Sequence, residues 1–208
     1  MDKCGVCGQN LNGKGTKAAK YCSGACRQKA YRQRQRATRL QIPGVLKNLR
    51  RWVRWRRVSR NGRTTKMPIT TVGRPASSTD PKTWTDFPTV SHSPLGDGYG
   101  FVLGGGIGCI DLDDCVNNAG SLSHVAERIL ALVGPTFVEK SPSGRGLQVW
   151  IQASESPGRV LEFEGQSVEV YTVGRYMTVT GDYWPGSVNS LAVFDAPASR
   201  LVEEFITR

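Results

Sequence analysis

Apolar positions along the chain follow two periods, and each predicts its own elements. Residues 51–58, Arg-Trp-Val-Arg-Trp-Arg-Arg-Val, alternate closely enough to form a strand. Asn61-Gly62 suits a turn into a second short strand near Lys66–Ile69. Residues 70–98 are rich in Thr, Ser, Pro and Gly and read as loops, with one helical turn near Pro81 to Phe87. Tyr99–Leu103 and Ile107–Leu112 are short apolar runs split by Gly104-Gly105-Gly106, the pattern of two buried strands joined by a tight turn. Val125, Ile129 and Leu132 give Ser121–Leu132 a helical spacing with a Ser cap. Phe137–Glu139, Leu147–Ile151, Val168–Tyr171 and Tyr176–Thr180 read as further strands, and Ser199–Ile206 as a closing helix. Four or more strands with two or three helices predict an α+β sheet domain.

This body is preceded by a different kind of sequence. Residues 1–26 are polar, with four cysteines and five glycines. Residues 27–41 contain no Gly, Pro or acid and predict a helix, which Ile42-Pro43-Gly44 ends. The expected organisation is a module over 1–26, a basic helical linker over 27–43 and a sheet domain over 44–208. No internal repeat or low-complexity tract is present.

Charge follows the same division. The 208 residues carry 28 Lys+Arg and 17 Asp+Glu, a net +11. Residues 1–66 hold 19 of the bases and a single acid, a local +18, whereas 67–208 hold nine bases and 16 acids, a local −7. A basic front on a mildly acidic body points to a polyanionic partner, nucleic acid first among them; a merely solvated charged segment is the alternative. The 38% apolar share can bury a core but is below average. No run of 18 apolar residues exists, so no transmembrane helix is expected, and the first 30 residues lack the apolar stretch of a secretory signal. The expectation is a cytoplasmic protein with no membrane partner, a setting in which cysteines bind metal more often than they form disulfides.

Cys4-Gly-Val-Cys7 and Cys22-Ser-Gly-Ala-Cys26 are separated by 14 residues. Two close pairs across a loop can place four thiolates tetrahedrally around Zn²⁺, giving a short polar segment folding energy that burial could not supply. Disulfides or free thiols are the alternatives. The stretch from Tyr21 to Arg34 resembles the small zinc-binding modules of many bacterial and phage proteins, in which the second cysteine pair opens a basic helix. Cys109 and Cys115 read as packed structural residues.

Arg27, Lys29, Arg32, Arg34, Arg36 and Arg39 spread charge around most of that helix, which suits phosphates better than a core; a solvated linker is the alternative. Trp52 and Trp55, among Arg50, Arg51, Arg54, Arg56 and Arg57, suit base stacking with phosphate contacts. Tryptophans in an alternating strand are more often core, so packing is expected for at least one.

The sharpest chemistry lies in Gly108-Cys-Ile-Asp-Leu-Asp-Asp114. On a strand Asp111 and Asp113 share a face, with Ile110 and Leu112 on the other. Two such carboxylates can clamp a hard divalent cation, and Glu169, between apolar β-branched residues, offers a third acid for a two-metal site. Surface carboxylate pairs are common, and that reading stays open here. Ser143-Gly144-Arg145-Gly146 is a small basic turn whose amides, hydroxyl and guanidinium suit a phosphate, or simply an ordinary hairpin turn. Gly174-Arg175-Tyr176 is a second turn into a strand, with Arg175 close after Glu169.

Taken in order, Trp52-Val-Arg-Trp55, Thr65-Lys-Met-Pro68, Ser78-Thr-Asp-Pro-Lys-Thr-Trp84, Tyr99-Gly-Phe-Val102, Ile110-Asp-Leu-Asp113, Ser141-Pro-Ser-Gly-Arg-Gly-Leu147, Val168-Glu-Val-Tyr171, Gly174-Arg-Tyr176 and Thr178-Val-Thr-Gly181 resemble the archaeo-eukaryotic primase superfamily. The closer likeness is to the amino-terminal primase–polymerase domain of phage and plasmid replication proteins, over residues 52–181. The resemblance implies an RRM-like mixed or antiparallel sheet core with flanking helices over 44–208. It implies a nucleotidyltransferase that synthesises short primers on single-stranded DNA from NTPs or dNTPs. Asp111, Asp113 and Glu169 would be the catalytic residues on Mg²⁺ or Mn²⁺, and Ser143, Arg145, Gln148 and Arg175 would bind the nucleotide. Arg27, Lys29, Arg32, Arg34, Arg36 and Arg39 would hold the template beside a structural Zn²⁺ on Cys4, Cys7, Cys22 and Cys26. Position 148 departs from the family's His; Gln donates a hydrogen bond but carries no charge. A non-catalytic single-strand-binding replication factor with a decayed primase fold is the alternative, and a metal-dependent nuclease a weaker one. No GxxxxGK[ST] phosphate loop occurs, so unwinding is expected from a separate helicase.

Overall fold

The computed structural model describes residues 3–11, 20–39, 42–60 and 62–206, without the side chains of 32–39, 60 and 63. In chain order the elements are helix α1 (Gly24–Arg39), the single turn α2 (Gly44–Lys47), strands β1 (Trp52–Arg60) and β2 (Arg63–Ile69), a 3-10 turn over Pro81–Thr83 and helix α3 (Phe87–His92). Next come β3 (Gly98–Val102), β4 (Ile107–Leu112), α4 (His124–Val133), β5 (Val138–Lys140) and β6 (Leu147–Gln152). β7 (Arg159–Phe163), β8 (Gln166–Tyr171), β9 (Tyr176–Val179), β10 (Ala192–Val193) and α5 (Pro197–Ile206) complete the order. The chain is α+β, as the two periodicities predict, with mainly antiparallel sheets, as the resemblance implies.

Local chemistry accounts for the differences from expectation. The single helical turn expected near Pro81–Phe87 is two pieces, because two aspartates each start one. Asp80 accepts the Lys82 amide at 3.1 Å and Asp86 the Thr89 amide at 2.7 Å, each with a proline in the first turn. α4 starts three residues later than expected, since Ser123 is its cap, accepting the Ala126 amide at 3.2 Å. β7 is mostly exposed at a sheet edge and carries no apolar alternation to announce it. The Asn61-Gly62 turn lies partly outside the described residues, with Gly62 at φ +73°.

The chain divides into two compact units, Met1–Leu40 with Leu49–Gly100, and Gln41–Asn48 with Phe101–Arg208. In the first, β1 pairs antiparallel with β2, from Arg54 opposite Ile69 to Arg60 opposite Arg63, and its other side adjoins β3. Both tryptophans of β1 are core. Trp52 packs edge-on to Phe87 at 4.8 Å, and Trp55 lies against Gly98, where a Cβ would sit 2.6 Å from the indole nitrogen. Arg54, read from the sequence as a phosphate ligand, is only 1% exposed. Its Nε donates to the Leu95 carbonyl at 2.6 Å and its guanidinium stacks 4.4 Å over Tyr99.

In the second unit the strand order is β10-β6-β4-β8-β7, with β5 also on β6. Only the β10–β6 pair is parallel. Ile110, Leu112, Val149, Val168 and Val170 bury one sheet face together with Val125, Ile129 and Val133 of α4 and Leu201 of α5. Each such side chain contributes about 1.5–3 kcal/mol on burial. Gly104, Gly105 and Gly106 all have positive φ and carry the chain from β3 to β4, which lie in different sheets. No helix among the described residues is long and apolar enough to cross a membrane.

Gly98→Ala should destabilise the protein by about 1–3 kcal/mol by driving a methyl into the Trp55 ring. Urea unfolding followed by tryptophan fluorescence measures it; an unchanged midpoint would show that the ring gives way freely.

Candidate active site and metal centre

β4 is paired on both sides, and its register assembles the site. Asp111 lies opposite Gln148 on β6 and Glu169 on β8, and Gln148 lies opposite Glu139 on β5. Opposed residues of antiparallel strands share a face. Glu139, Gln148, Asp111 and Glu169 therefore form one polar row across the sheet. The adjacent row, Val138, Val149, Ile110 and Val170, faces the core. Asp113 lies just past the end of β4 and is exposed, followed by Asp114 at φ +48°.

Basic side chains border the row. Glu169 accepts a hydrogen bond from the Tyr171 hydroxyl at 2.8 Å and lies 3.5 Å from Arg175 Nη2. Arg175 also stacks 4.5 Å over the Tyr171 ring. Burial first, and then the bond to Glu169, hold the Tyr171 phenol above its usual pKa. Arg145 Nη2 is 2.9 Å from Asp114, an exposed pair that contributes about 0–1 kcal/mol. The turn that carries Arg145 is closed by Ser141 N–H to Gly146 O at 2.9 Å, and Gly144 within it has φ +77°. Ser143 Oγ lies 2.9 Å from Ser141 Oγ. A Cβ on Gly146 would lie 2.8 Å from the Leu112 carbonyl, so glycine lets this turn seat against the end of β4.

Gln148 is buried at 2% exposure, and its amide exchanges hydrogen bonds with the Thr178 hydroxyl of β9 at 3.2–3.3 Å. It stands in the row but faces Thr178 rather than open solvent.

Glu139 has no role in the sequence reading, yet it is the most enclosed acid of the row. Its carboxylate accepts from Trp150 Nε1 at 3.1 Å, Thr180 N at 2.9 Å, Thr180 Oγ1 at 3.0 Å and Gly181 N at 2.6 Å. Burial pushes its pKa up, the donors pull it down, and the balance is about 7. Glu139 thus ties the end of β9 to β5 and β6.

The metal centre is a separate cluster. Cys4, Cys7, Cys22 and Cys26 bring their sulfurs within 4.8 Å of one another, with Cys7–Cys22 at 3.4 Å and Cys22–Cys26 at 3.6 Å. A tetrahedron of 2.3 Å Zn–S bonds has edges of about 3.8 Å, so four thiolates here fit one soft cation. Gly8, at φ +72°, closes the first turn by donating to the Cys4 carbonyl, and Ser23 Oγ accepts the Cys26 amide where α1 begins. Burial opposes ionisation of Cys4, but amides of Cys7, Val6 and Cys22 outweigh it and bring the thiol down to about 6. Hydrogen bonds with Cys7, Cys26 and Cys4 favour the protonated form of Cys22 and push it up to about 12. Crowded thiols cannot all ionise without a cation among them. Among the described residues no second group of three or more His, Cys, Asp or Glu side chains converges in this way; Asp111, Asp113 and Glu169 do not.

Cys109 and Cys115 are buried, and desolvation raises both, Cys115 to about 11, which suits packed thiols. Of the basic helix, Arg27 and Lys29 are exposed, and Lys29 lies 3.8 Å from Asp97. The side chains of Arg32, Arg34, Arg36 and Arg39 lie outside the described residues.

No family model matches the chain. A curated relative does: a protein named DNA Primase-polymerase, from Nitratiruptor phage NrS-1, is 33% identical over 159 residues, covering 71% of this chain. The matched region belongs to the primase–polymerase family. It spans 21% of that relative's length. The acids brought to one sheet face thus lie in a chain whose relative is named a DNA Primase-polymerase.

The proton on Glu139 should be visible in the stability of the protein. Its folded pKa of about 7 exceeds the ordinary 4.5, so the folded state binds this proton more tightly than the unfolded chain. That contribution is full below about pH 4.5 and is lost as pH rises through 7; it is on the order of 3 kcal/mol. Urea titrations from pH 5 to 8 should give a falling stability component in the wild type that Glu139→Gln lacks. Parallel pH profiles would remove this assignment.

Proposed function

We propose that the chain is a primase–polymerase that extends or begins strands on a single-stranded DNA template by nucleotidyl transfer. The observation that supports it most is the register that sets Asp111 opposite Glu169, with Asp113 just past the end of the same strand, in a chain related to a named primase–polymerase. Asp111, Asp113 and Glu169 are hard oxygen donors suited to Mg²⁺ or Mn²⁺. A divalent cation held there would polarise the phosphate and favour ionisation of the attacking hydroxyl. The chain's own groups do the rest. The three carboxylates define where the triphosphate sits, and Arg145 and Arg175, exposed and now paired with Asp114 and Glu169, exchange those partners for phosphate oxygens. Ser143 and the amides of its turn suit the same phosphates. A 3′-hydroxyl attacks the α-phosphorus, its proton leaves to solvent or a carboxylate, and pyrophosphate departs.

On this reading residues 1–26 form a zinc module on Cys4, Cys7, Cys22 and Cys26, residues 27–43 a basic helix, and 44–208 the catalytic part. Zinc folds the short cysteine segment, and Arg27, Lys29, Arg32, Arg34, Arg36 and Arg39 hold the template. The protein works in the cytoplasm of a bacterial host, with NTPs or dNTPs as substrates and a separate helicase to open the duplex. A second reading, a single-strand-binding replication factor without catalysis, draws on Gln148, whose amide is engaged by Thr178 where the family has a histidine.

Two measurements test this. Unprimed single-stranded DNA, labelled nucleotides of both sugars and Mg²⁺ or Mn²⁺ should give short products. Asp111→Ala/Asp113→Ala should reduce them by roughly a hundredfold or more with template binding retained. Binding without synthesis by the wild type would favour the second reading, and shortened strands would indicate a nuclease. Metal analysis of the purified protein should give about one equivalent of zinc, lost in Cys26→Ser; less than half an equivalent in the wild type would remove the zinc module.

A further inference from the structure

The first unit carries a basic surface that the acidic row does not use. At Trp55 the β1 carbonyl accepts the Asp97 amide at 2.7 Å, and the Asp97 carboxylate then accepts the Arg57 amide at 2.8 Å. Beyond this point the β1–β2 hairpin continues as a two-stranded ribbon. Arg56, Arg57, Thr64, Thr65 and Lys66 on it are all exposed.

Residues 56–67 contain five cations, Arg56, Arg57, Arg60, Arg63 and Lys66, and no acid. The register sets Arg57 opposite Lys66 and Arg60 opposite Arg63. Like charges directly opposite one another destabilise a strand pair. A ribbon that keeps two such pairs is arranged for a polyanion. Its tryptophan, Trp55, is buried at the base, and no aromatic residue lies between Arg56 and Met67. Single-strand platforms stack bases on exposed aromatics, and this ribbon has none to offer. A two-stranded ribbon matches the width of a duplex major groove, and a duplex presents the densest row of phosphates.

We propose that the β1–β2 ribbon docks on the phosphate backbone of double-stranded nucleic acid, with Arg56, Arg57 and Lys66 as phosphate contacts. This stands whether or not Asp111 supports synthesis, although a duplex is also what templated synthesis leaves behind.

The test uses the full chain and a triple variant, Arg56→Ser/Arg57→Ser/Lys66→Ser, binding a short blunt duplex and one of its single strands between about 50 and 200 mM salt. On duplex the variant's slope of log K against log salt should be shallower by about 2–3, with a smaller change on the single strand. Its thermal midpoint should be equal or higher, since an opposed like-charge pair is gone. Arg57→Lys keeps the charge and should keep the slope. An unchanged duplex slope in the triple variant overturns the proposal. So does an equal change on both nucleic acids, or an Arg57→Lys loss as large as that of the triple variant, which would mean that Arg57 acts through its guanidinium, 5.5 Å over the Trp55 ring.

Discussion

In an antiparallel sheet the register decides which side chains become neighbours, and a slip of one residue would reverse every face. β4 is held on one side by β6 and on the other by β8. Ile110 and Leu112 bury completely on one face, which fixes Asp111 on the other. The same apolar requirement on β8, through Val168 and Val170, fixes Glu169 opposite Asp111. The core therefore orients the acids: burying the branched aliphatics is what keeps carboxylates side by side against their mutual repulsion. A cation shared between them would relieve that repulsion. Sheet packing and metal affinity would then favour the same arrangement.

The polar row grows more enclosed across the sheet. Glu169 is half-buried and meets Tyr171 and Arg175, Gln148 is buried against Thr178, and Glu139 is sealed within four donors. A buried carboxylate is costly unless its donors are in place. Those of Glu139 come from Trp150 on β6 and from Thr180 and Gly181 just past β9. Its network ties together the strands that also supply the Gln148–Thr178 contact, so the half of the row next to Asp111 is braced from behind.

Much of this could be read from the residues alone. Glu169 stands out because an acid between β-branched Val168 and Val170 is hard to explain as a solvated surface, and Asp111 and Asp113 by their spacing two residues apart in an apolar run. The four cysteines stand out by spacing, and their sulfurs do converge. Glu139 was illegible because its partners are a distant tryptophan and two backbone amides some 40 positions later, and nothing local in Val-Glu-Lys predicts them. Arg54 was misread for a related reason. In Trp-Val-Arg-Trp-Arg-Arg every arginine looks alike, and only tertiary packing on Tyr99 and Leu95 draws one inside. β7 escaped because an edge strand with little buried area needs no apolar alternation.

Charge separates two kinds of task along the chain. The acids that suit cations lie in the second unit, whose residues from 101 onward include 13 of the 17 acids. The hairpin, α1 and the cysteine cluster lie in the first, which holds most of the bases. A basic residue beside Asp111 would compete with a cation for its carboxylate, and an acid within the ribbon would weaken any attraction to phosphate. Keeping the two charge populations on different units avoids both. The few arginines near the acidic row, Arg145 and Arg175, are held by exposed or half-exposed carboxylates, and such pairs contribute so little that a phosphate can replace either partner.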